Sequence, residues 1–195
     1  MYFGSSFVFI FSGIFFNPMR PNSFAIFSAR NTGSRYSRSM TVPRIDVIPI
    51  TVEILRDPND WQLLKLENGF LAAIGEDLLS EEKKKRLQGA IEDSRIVFFI
   101  AKRGYRSVGM CSVSRYFSTY ACTDTGVLED FYIKPIFHKL GIAHQLIQAA
   151  QSWCKEHYIA SLTACCAPCD ESMYQSLGFD TFIGKTWAYL NDDTE

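Results

Sequence analysis

One stretch of the sequence, residues 126–157, restricts the fold of this chain more than any other. Its first residues, 126–133, form an apolar run typical of a buried strand, and residues 141–157 follow the period of an amphipathic helix. Only a short connection separates the two. A strand that leads directly into a helix, which then packs on the sheet, is the repeating unit of α/β proteins.

The surrounding sequence predicts a mixed sheet with helices on its faces, an α/β (α+β) fold. Strand patterns occupy residues 43–56, 95–101, 108–117, 160–167 and 186–190, and helix starts are predicted near Asp60, Ser80 and Asp170. The apolar stripe predicted for the first of these helices consists of Trp61, Leu64, Leu71 and Ile74. We expect one domain that spans residues 41–195.

Residues 1–40 have a different composition, rich in Phe, Ser and Arg, with four arginines and no Asp, Glu or Lys. The apolar run at residues 7–16 is shorter than the roughly 20 residues that span a bilayer. A secretory signal would have a positive charge before this run, and none is present. We interpret the segment as an extension outside the domain, either an upstream extension or an organelle-targeting segment.

The overall charge and the cysteines bear on the class of partner and the compartment. A net charge of −1 gives no general basic field for nucleic acid, and no segment predicts a membrane partner. All six cysteines lie after residue 110, several of them inside apolar runs, where free cysteine behaves as a small hydrophobic residue. We therefore expect reduced thiols and a cytoplasmic protein.

The connection before the helix of residues 141–157 is a candidate anion-binding site. The first backbone N–H groups of a helix have no partner within the helix and carry partial positive charge, which suits a diphosphate. Gly141 and Ala143 are small enough to let the backbone approach phosphates closely. Lys139 can add a positive charge beside them.

This helix entry resembles the acetyl-CoA signature of the GNAT superfamily of N-acetyltransferases, in which Arg or Gln is followed by x-x-Gly-x-Gly/Ala. Here the pattern is His138-x-x-Gly141-x-Ala143, with His138 in the place of the usual Arg or Gln. Residues 128–133 are similar to the corresponding strand of diamine acetyltransferases. Residues 174–179 resemble the Tyr-x-x-x-Gly-Phe element of the superfamily.

The resemblance implies a mainly antiparallel mixed sheet that splays between two central parallel strands, with acetyl-CoA as co-substrate and no metal. It implies direct transfer of the acetyl group to a primary amine of a small molecule, such as a polyamine-like compound, and allows a homodimer. Tyr174 would protonate the departing CoA thiolate, Glu129 would act as base, and Asp130 would hold a cationic substrate. The residues expected to bind the cofactor are Phe131, Tyr132, Ile133, His138, Lys139, Leu140, Gly141, Ile142, Ala143 and His144.

The carboxylates of Glu129 and Asp130 lie inside an apolar strand. Because adjacent strand residues point to opposite faces, at least one carboxylate should face a helix-covered side unless a bulge intervenes. Burial there would raise the pKa of a carboxyl group, which suits a general base. The rest of the acceptor pocket is expected between the first helices and the last strands, where the sequence carries no recognisable code.

Two alternative functions are compatible with the sequence. Cys166 and Cys169 form a Cys-x-x-Cys pair after a predicted strand and before a helix, which is typical of a thiol–disulfide oxidoreductase. The other alternative is a GNAT-like domain that binds acyl-CoA without catalysis, because His138 departs from the usual signature.

Overall fold

The structure, a computed structural model, describes residues 48–186. Residues 1–40, and the final strand predicted at residues 186–190 apart from its first residue, lie outside the described residues. Five strands form one sheet in chain order: β1 (Ile50–Ile54), β2 (Ile96–Arg103), β3 (Arg106–Ser118), β4 (Thr123–Ile133) and β5 (Leu162–Ala164). The helices are α1 (Trp61–Ile74), α2 (Glu81–Glu92), α3 (Ile142–Glu156) and α4 (Glu171–Ser176). The predicted mixed sheet flanked by helices is confirmed.

The sheet opens between its last two described strands. Strands β1 to β4 pair antiparallel, whereas β4 and β5 pair in parallel. The parallel pairing joins only residues 126–128 to residues 162–164, although β4 continues to Ile133. The last five residues of β4 therefore line an opening beyond the end of β5, which agrees with the predicted splay.

The two faces of the sheet carry separate apolar clusters. On one face, α1 packs against Phe98, Ile100 and Met110. On the other face, α3 packs against alternate residues of β2, β3 and β4, with Leu146 and Trp153 in the buried cluster. Alternation along β2 and β3 thus gives the sheet an α1 face, which α1 covers, and an α3 face, which α3 covers.

The stripe predicted for α1 was wrong except for Ile74, which packs against the cluster on the α1 face. The residues that α1 buries are Leu63, Leu66, Glu67 and Phe70, whereas Trp61 is exposed. Both sets of residues repeat at helical spacing, so the period alone could not distinguish them. The buried set contains a carboxyl group at its centre, which made it look polar in the sequence.

The start of α1 provides a test of the fold. Asp60 caps the helix, and its Oδ1 accepts a hydrogen bond from the backbone N–H of Gln62 at 2.8 Å. We expect Asp60→Ala to lower the free energy of unfolding by about 1 kcal/mol, because the N–H loses its acceptor. Urea unfolding of the full chain would measure this loss. Asp60→Asn, which keeps an acceptor oxygen, should stay close to the original protein; equal loss in both variants would contradict the capping role.

Candidate functional site

The N-terminus of α3 has no side-chain cap among the described residues. Gly141 occupies the cap position with φ of 74°, in the left-handed region that favours glycine. Lys139 is also left-handed, with φ of 63°, and its side chain is exposed. Gly141 and His144 are exposed as well, so the first N–H groups of α3 face solvent beside a lysine.

His138 fixes the connection that leads into α3. Its Nε2 lies 2.8 Å from the carbonyl oxygen of Ile133, and since a carbonyl accepts, the ring nitrogen donates. The contact ties the connection to the last residue of β4. The structure therefore shows a positioning contact for His138, and its contact with the cofactor stays a prediction.

The other predicted cofactor residues differ in what they can offer. Ile142 is 2% exposed and packs in the core, so only its backbone can face a ligand. Ala143 is half-buried, and the Leu140 side chain is half exposed. The ring of Tyr132 lies on the α1 face near Phe70, with centroids 6.5 Å apart, so at the opening this residue too can act only through its backbone.

A bulge interrupts β4 at the two predicted carboxylates. Ser112 pairs with Glu129 and Met110 pairs with Tyr132, so Asp130 and Phe131 together stand opposite one residue of β3. Asp130 adopts φ of 49°, a conformation that Asp tolerates better than most residues.

The bulge brings both carboxylates to the same face of the sheet. The Ser114 hydroxyl donates to Glu129 Oε2, and the Ser112 hydroxyl lies 3.4 Å from Asp130 Oδ2. These serines are two residues apart on β3 and share the α1 face with Met110. The expectation of opposite faces thus fails because of the bulge, the exception that the alternation argument allows. Glu129 is exposed, whereas Asp130 is half-buried.

The backbone of Ile133 points into the opening between β4 and β5. The N–H of Lys134 donates to the carbonyl of Val108 on the β3 side, at 2.9 Å. Because consecutive strand residues turn their peptide groups to opposite sides, the N–H of Ile133 is directed away from β3. A donor directed into a cleft can stabilise a negatively charged oxygen.

Tyr174 lies on α4 and reaches the core beside the bulge. Its side chain is 3% exposed, and its ring centroid lies 6.3 Å from that of Phe131 and 5.7 Å from that of Phe179. The structure brings Tyr174 next to the end of β4, as the predicted site requires. Its role as an acid is a proposal, because packing alone would also retain an aromatic ring here.

A second buried carboxyl group, which the sequence reasoning missed, lies near Asp130. Burial raises the pKa of Glu67 to about 9, and the negative charge of Asp130 adds to this shift. Burial also raises the pKa of Asp130 to about 6, with a further contribution from Glu129, while the Ser112 hydrogen bond opposes the shift. The sequence does contain a sign of this buried group: Glu67 lies on the same side of the helix as the apolar residues Leu63, Leu66 and Phe70.

The structure gives no support to a redox site at the Cys-x-x-Cys pair. Both cysteines are free thiols, and burial, with nearby Glu171, raises the pKa of Cys166 rather than lowering it as a reactive thiolate requires. Strand β5 ends at Ala164. The prediction that Cys165 and Cys166 belong to this strand is therefore wrong, and both residues follow it. Within residues 48–186, no group of three or more His, Cys, Asp or Glu side chains could hold a metal ion.

A surface groove of about 450 Å³ lies between β1 and α3. Its lining contains no ionisable side chain and consists of Ile50, Thr51, Val52, Gln145, Gln148, Ala149 and Ser152.

None of the helices in the described region is long and apolar enough to cross a membrane.

Solved structures with this fold include several acetyltransferases. An aminoglycoside acetyltransferase from an uncultured soil metagenomic sample, in complex with sisomicin, is 18% identical, with 73% of this chain and 95% of that chain covered and a TM-score of 0.63. A predicted acetyltransferase with acetyl-CoA from Clostridium acetobutylicum is 16% identical, with 73% and 96% covered and a TM-score of 0.61. Glucosamine-6-phosphate N-acetyltransferase from Arabidopsis thaliana is 13% identical, with 73% and 99% covered and a TM-score of 0.60. At these identities the similarity shows a shared fold.

Sequence comparison with protein families provides the assignment. No curated protein matches the chain. The family described as acetyltransferase (GNAT) domain matches residues 68–187, which is more than half of the sequence and includes the bulge of β4, the entry to α3 and Tyr174. The chain therefore belongs to the GNAT family of acetyltransferases.

Proposed function

We propose that this protein transfers the acetyl group of acetyl-CoA directly to a primary amine of a small molecule. One observation carries the proposal: the uncapped N-terminus of α3 lies at the end of β4, where the sheet opens. The sheet opening and the helix end together provide a place for a diphosphate and for an extended chain attached to it.

The residues at this place fit acetyl-CoA. The backbone N–H groups of residues 141–144 would bind the diphosphate, and Lys139 would add a positive charge. A Cβ at Gly141 would meet nothing within 4 Å, so the space in front of the helix end is open. When bound, acetyl-CoA supplies an activated thioester carbonyl.

The chain's own groups would then assist each step of the transfer. An alkylamine, with a reference pKa of about 10, must lose a proton before its nitrogen attacks the thioester carbon. The Glu129–Asp130 pair would accept that proton, and Asp130 is the better suited because burial raises its pKa to about 6. The N–H of Ile133 would stabilise the oxyanion. As the C–S bond breaks, Tyr174 would donate its proton to the sulfur.

The acceptor is an amine in this proposal for two reasons. Two of the similar structures bear the names of acetyltransferases that act on an aminoglycoside and on glucosamine 6-phosphate. The three carboxyl groups of Glu67, Glu129 and Asp130 on the α1 side of β4 also favour a cationic substrate. The resemblance of residues 128–133 to diamine acetyltransferases adds polyamine-like compounds to this class.

An amine panel tests the proposal. The full chain would be incubated with acetyl-CoA and, in turn, a polyamine, an amino acid, an aminoglycoside and an amino sugar. We expect acetylation of at least one of them, measured by mass spectrometry. Product detection is preferable to a thiol reagent because the cysteine side chains of Cys122 and Cys169 are exposed and would react with it. Binding of acetyl-CoA without acetylation of any amine would favour a non-catalytic domain, and absence of binding would refute the proposal.

A further inference from the structure

Glu67 is a buried carboxyl group whose polar atoms are not fully paired. It lies on the packed side of α1 between Leu63, Leu66 and Phe70, and it is 5% exposed. Its Oε1 has no hydrogen-bond partner among the described residues. An unpaired buried polar atom destabilises a fold, so such a group in a native protein is often retained for a ligand or for chemistry.

The charged group that acts on Glu67 is acidic, and the residues buried beside it on α1 are apolar. Asp130, half-buried in the bulge of β4, is close enough to raise the pKa of Glu67. Within residues 48–186, neither carboxyl group forms an ion pair with a lysine or arginine. With exposed Glu129, the three carboxyl groups range from the solvent-exposed end of the set to the buried interface between α1 and β4.

Helix α1 and strand β4 lie in close contact near Glu67. A Cβ at Gly69 would lie 3.1 Å from the hydroxyl oxygen of Tyr132, so glycine at this position lets the Tyr132 ring lie against α1. The ring also contacts Phe70. Apolar walls around two carboxyl groups strengthen their attraction for a cation, because the local dielectric is low.

We infer that Glu67 belongs to the acceptor site and that, together with Asp130, it binds the ammonium group of a cationic alkylamine. The inference rests on the proposed function and narrows it to amines that are protonated when they enter the site. Neutral arylamines, which lack the charge, would gain nothing from the pair.

Binding of the cation is coupled to release of a proton. In the free protein, burial and the charge of Asp130 raise the pKa of Glu67 and so favour its protonated form. The pKa of Asp130 is raised less, and the Ser112 hydrogen bond favours its ionised form. The other polar groups on this side include Glu129 and the hydroxyls of Tyr132, Ser112 and Ser114. Lys134, which follows β4, lies near Lys65 of α1, and the two positive charges act on each other. An ammonium ion beside Glu67 favours its ionised form, so the proton leaves Glu67 for the buffer as the cation binds.

Titration calorimetry with 1,4-diaminobutane, with and without CoA, tests the inference; 1,4-butanediol serves as the uncharged ligand of equal length. Measuring the heat in two buffers of different ionisation enthalpy gives the number of protons released. We expect the original protein to bind the diamine, not the diol, and to release about one proton per cation. Glu67→Gln should bind the diamine at least about tenfold more weakly and release none. Glu92→Gln, which removes an exposed carboxylate, should behave like the original protein.

The outcomes separate this inference from the proposed function. Absence of diamine binding, or equal binding and proton release in Glu67→Gln, overturns the inference even if an amine is acetylated. Diamine binding with proton release, but no acetylation of any amine, overturns the proposed function instead. If Glu67→Gln does not fold, proton release by the original protein still decides: binding without release overturns the inference.

The pH dependence of stability checks the protonation of Glu67 independently. Because its folded pKa is raised, Glu67 stabilises the fold below its unfolded pKa of about 4.3, and this stability is lost as the pH rises towards 9. The stability of Glu67→Gln relative to the original protein should therefore increase between pH 5 and pH 9 in urea unfolding. A constant difference would mean that Glu67 is already ionised in the free protein, and it would overturn the inference.

Discussion

Replacement of Gly141 by Glu is expected to weaken acetyl-CoA binding by about tenfold to a hundredfold. The side chain would place a carboxylate in front of the first N–H groups of α3, where the diphosphate is proposed to bind. This carboxylate and the diphosphate, two negative charges about 5 Å apart, would repel each other by about 3 kcal/mol at an effective dielectric constant of 20. Because this helix end is exposed to solvent, the repulsion is reduced, and the expected loss of affinity therefore extends down to about tenfold. Isothermal titration calorimetry with acetyl-CoA would measure the change.

Gly141→Gln is the matched control for this prediction. Both side chains have the same shape. Both variants should lose about 1–2 kcal/mol of folding stability, because a residue other than glycine is strained at φ of 74°. Glu, however, should stabilise the helix relative to Gln by about 0.3–1 kcal/mol, because a negative charge is favourable at a helix N-terminus. The Glu variant should therefore be at least as stable as the Gln variant, yet bind acetyl-CoA more weakly. Equal affinity in the two folded variants would exclude a diphosphate at this helix end.

The unit from β4 to α3 could be predicted from the sequence because its signals are local. The apolar run of the strand and the period of the helix need no knowledge of the rest of the chain. The same is true of the cap residues Asp60 and Ser80, whose side chains accept hydrogen bonds from Gln62 and Lys83. Short-range patterns of this kind gave the order of strands and helices and the entry to α3.

The arrangement of the carboxyl groups could not be predicted in this way. The faces of Glu129 and Asp130 depend on a bulge, which arises where β3 and β4 meet and leaves no regular mark in either strand alone. Glu67 is buried because α1 packs on the sheet through Leu63 and Leu66, and the competing stripe was equally periodic. Both features are set by contacts between elements that are distant in the sequence, which a periodicity argument does not contain.

Tyr174→Phe is expected to lower kcat by about a hundredfold while leaving the affinity for acetyl-CoA nearly unchanged. The variant keeps the aromatic ring that contacts Phe131 and Phe179 and loses only the hydroxyl group. If that hydroxyl protonates the departing thiolate, its loss removes general-acid catalysis, which contributes at least about this factor. Steady-state kinetics with the best amine of the panel and calorimetry with acetyl-CoA would measure the two quantities.

The pH profile distinguishes an acid from a packing residue at this position. An acid must be protonated to act, so the original protein should lose activity at high pH as the phenol ionises, and the Phe variant should lack this alkaline decline. Tyr158→Phe, which removes a hydroxyl from a ring that is 87% exposed, controls for the change of residue type and should keep the original kcat and pH profile. Because a purely structural Tyr174 would tolerate Phe, turnover equal to that of the original protein would assign the ring to the core and leave the thiolate to depart without an acid from the chain.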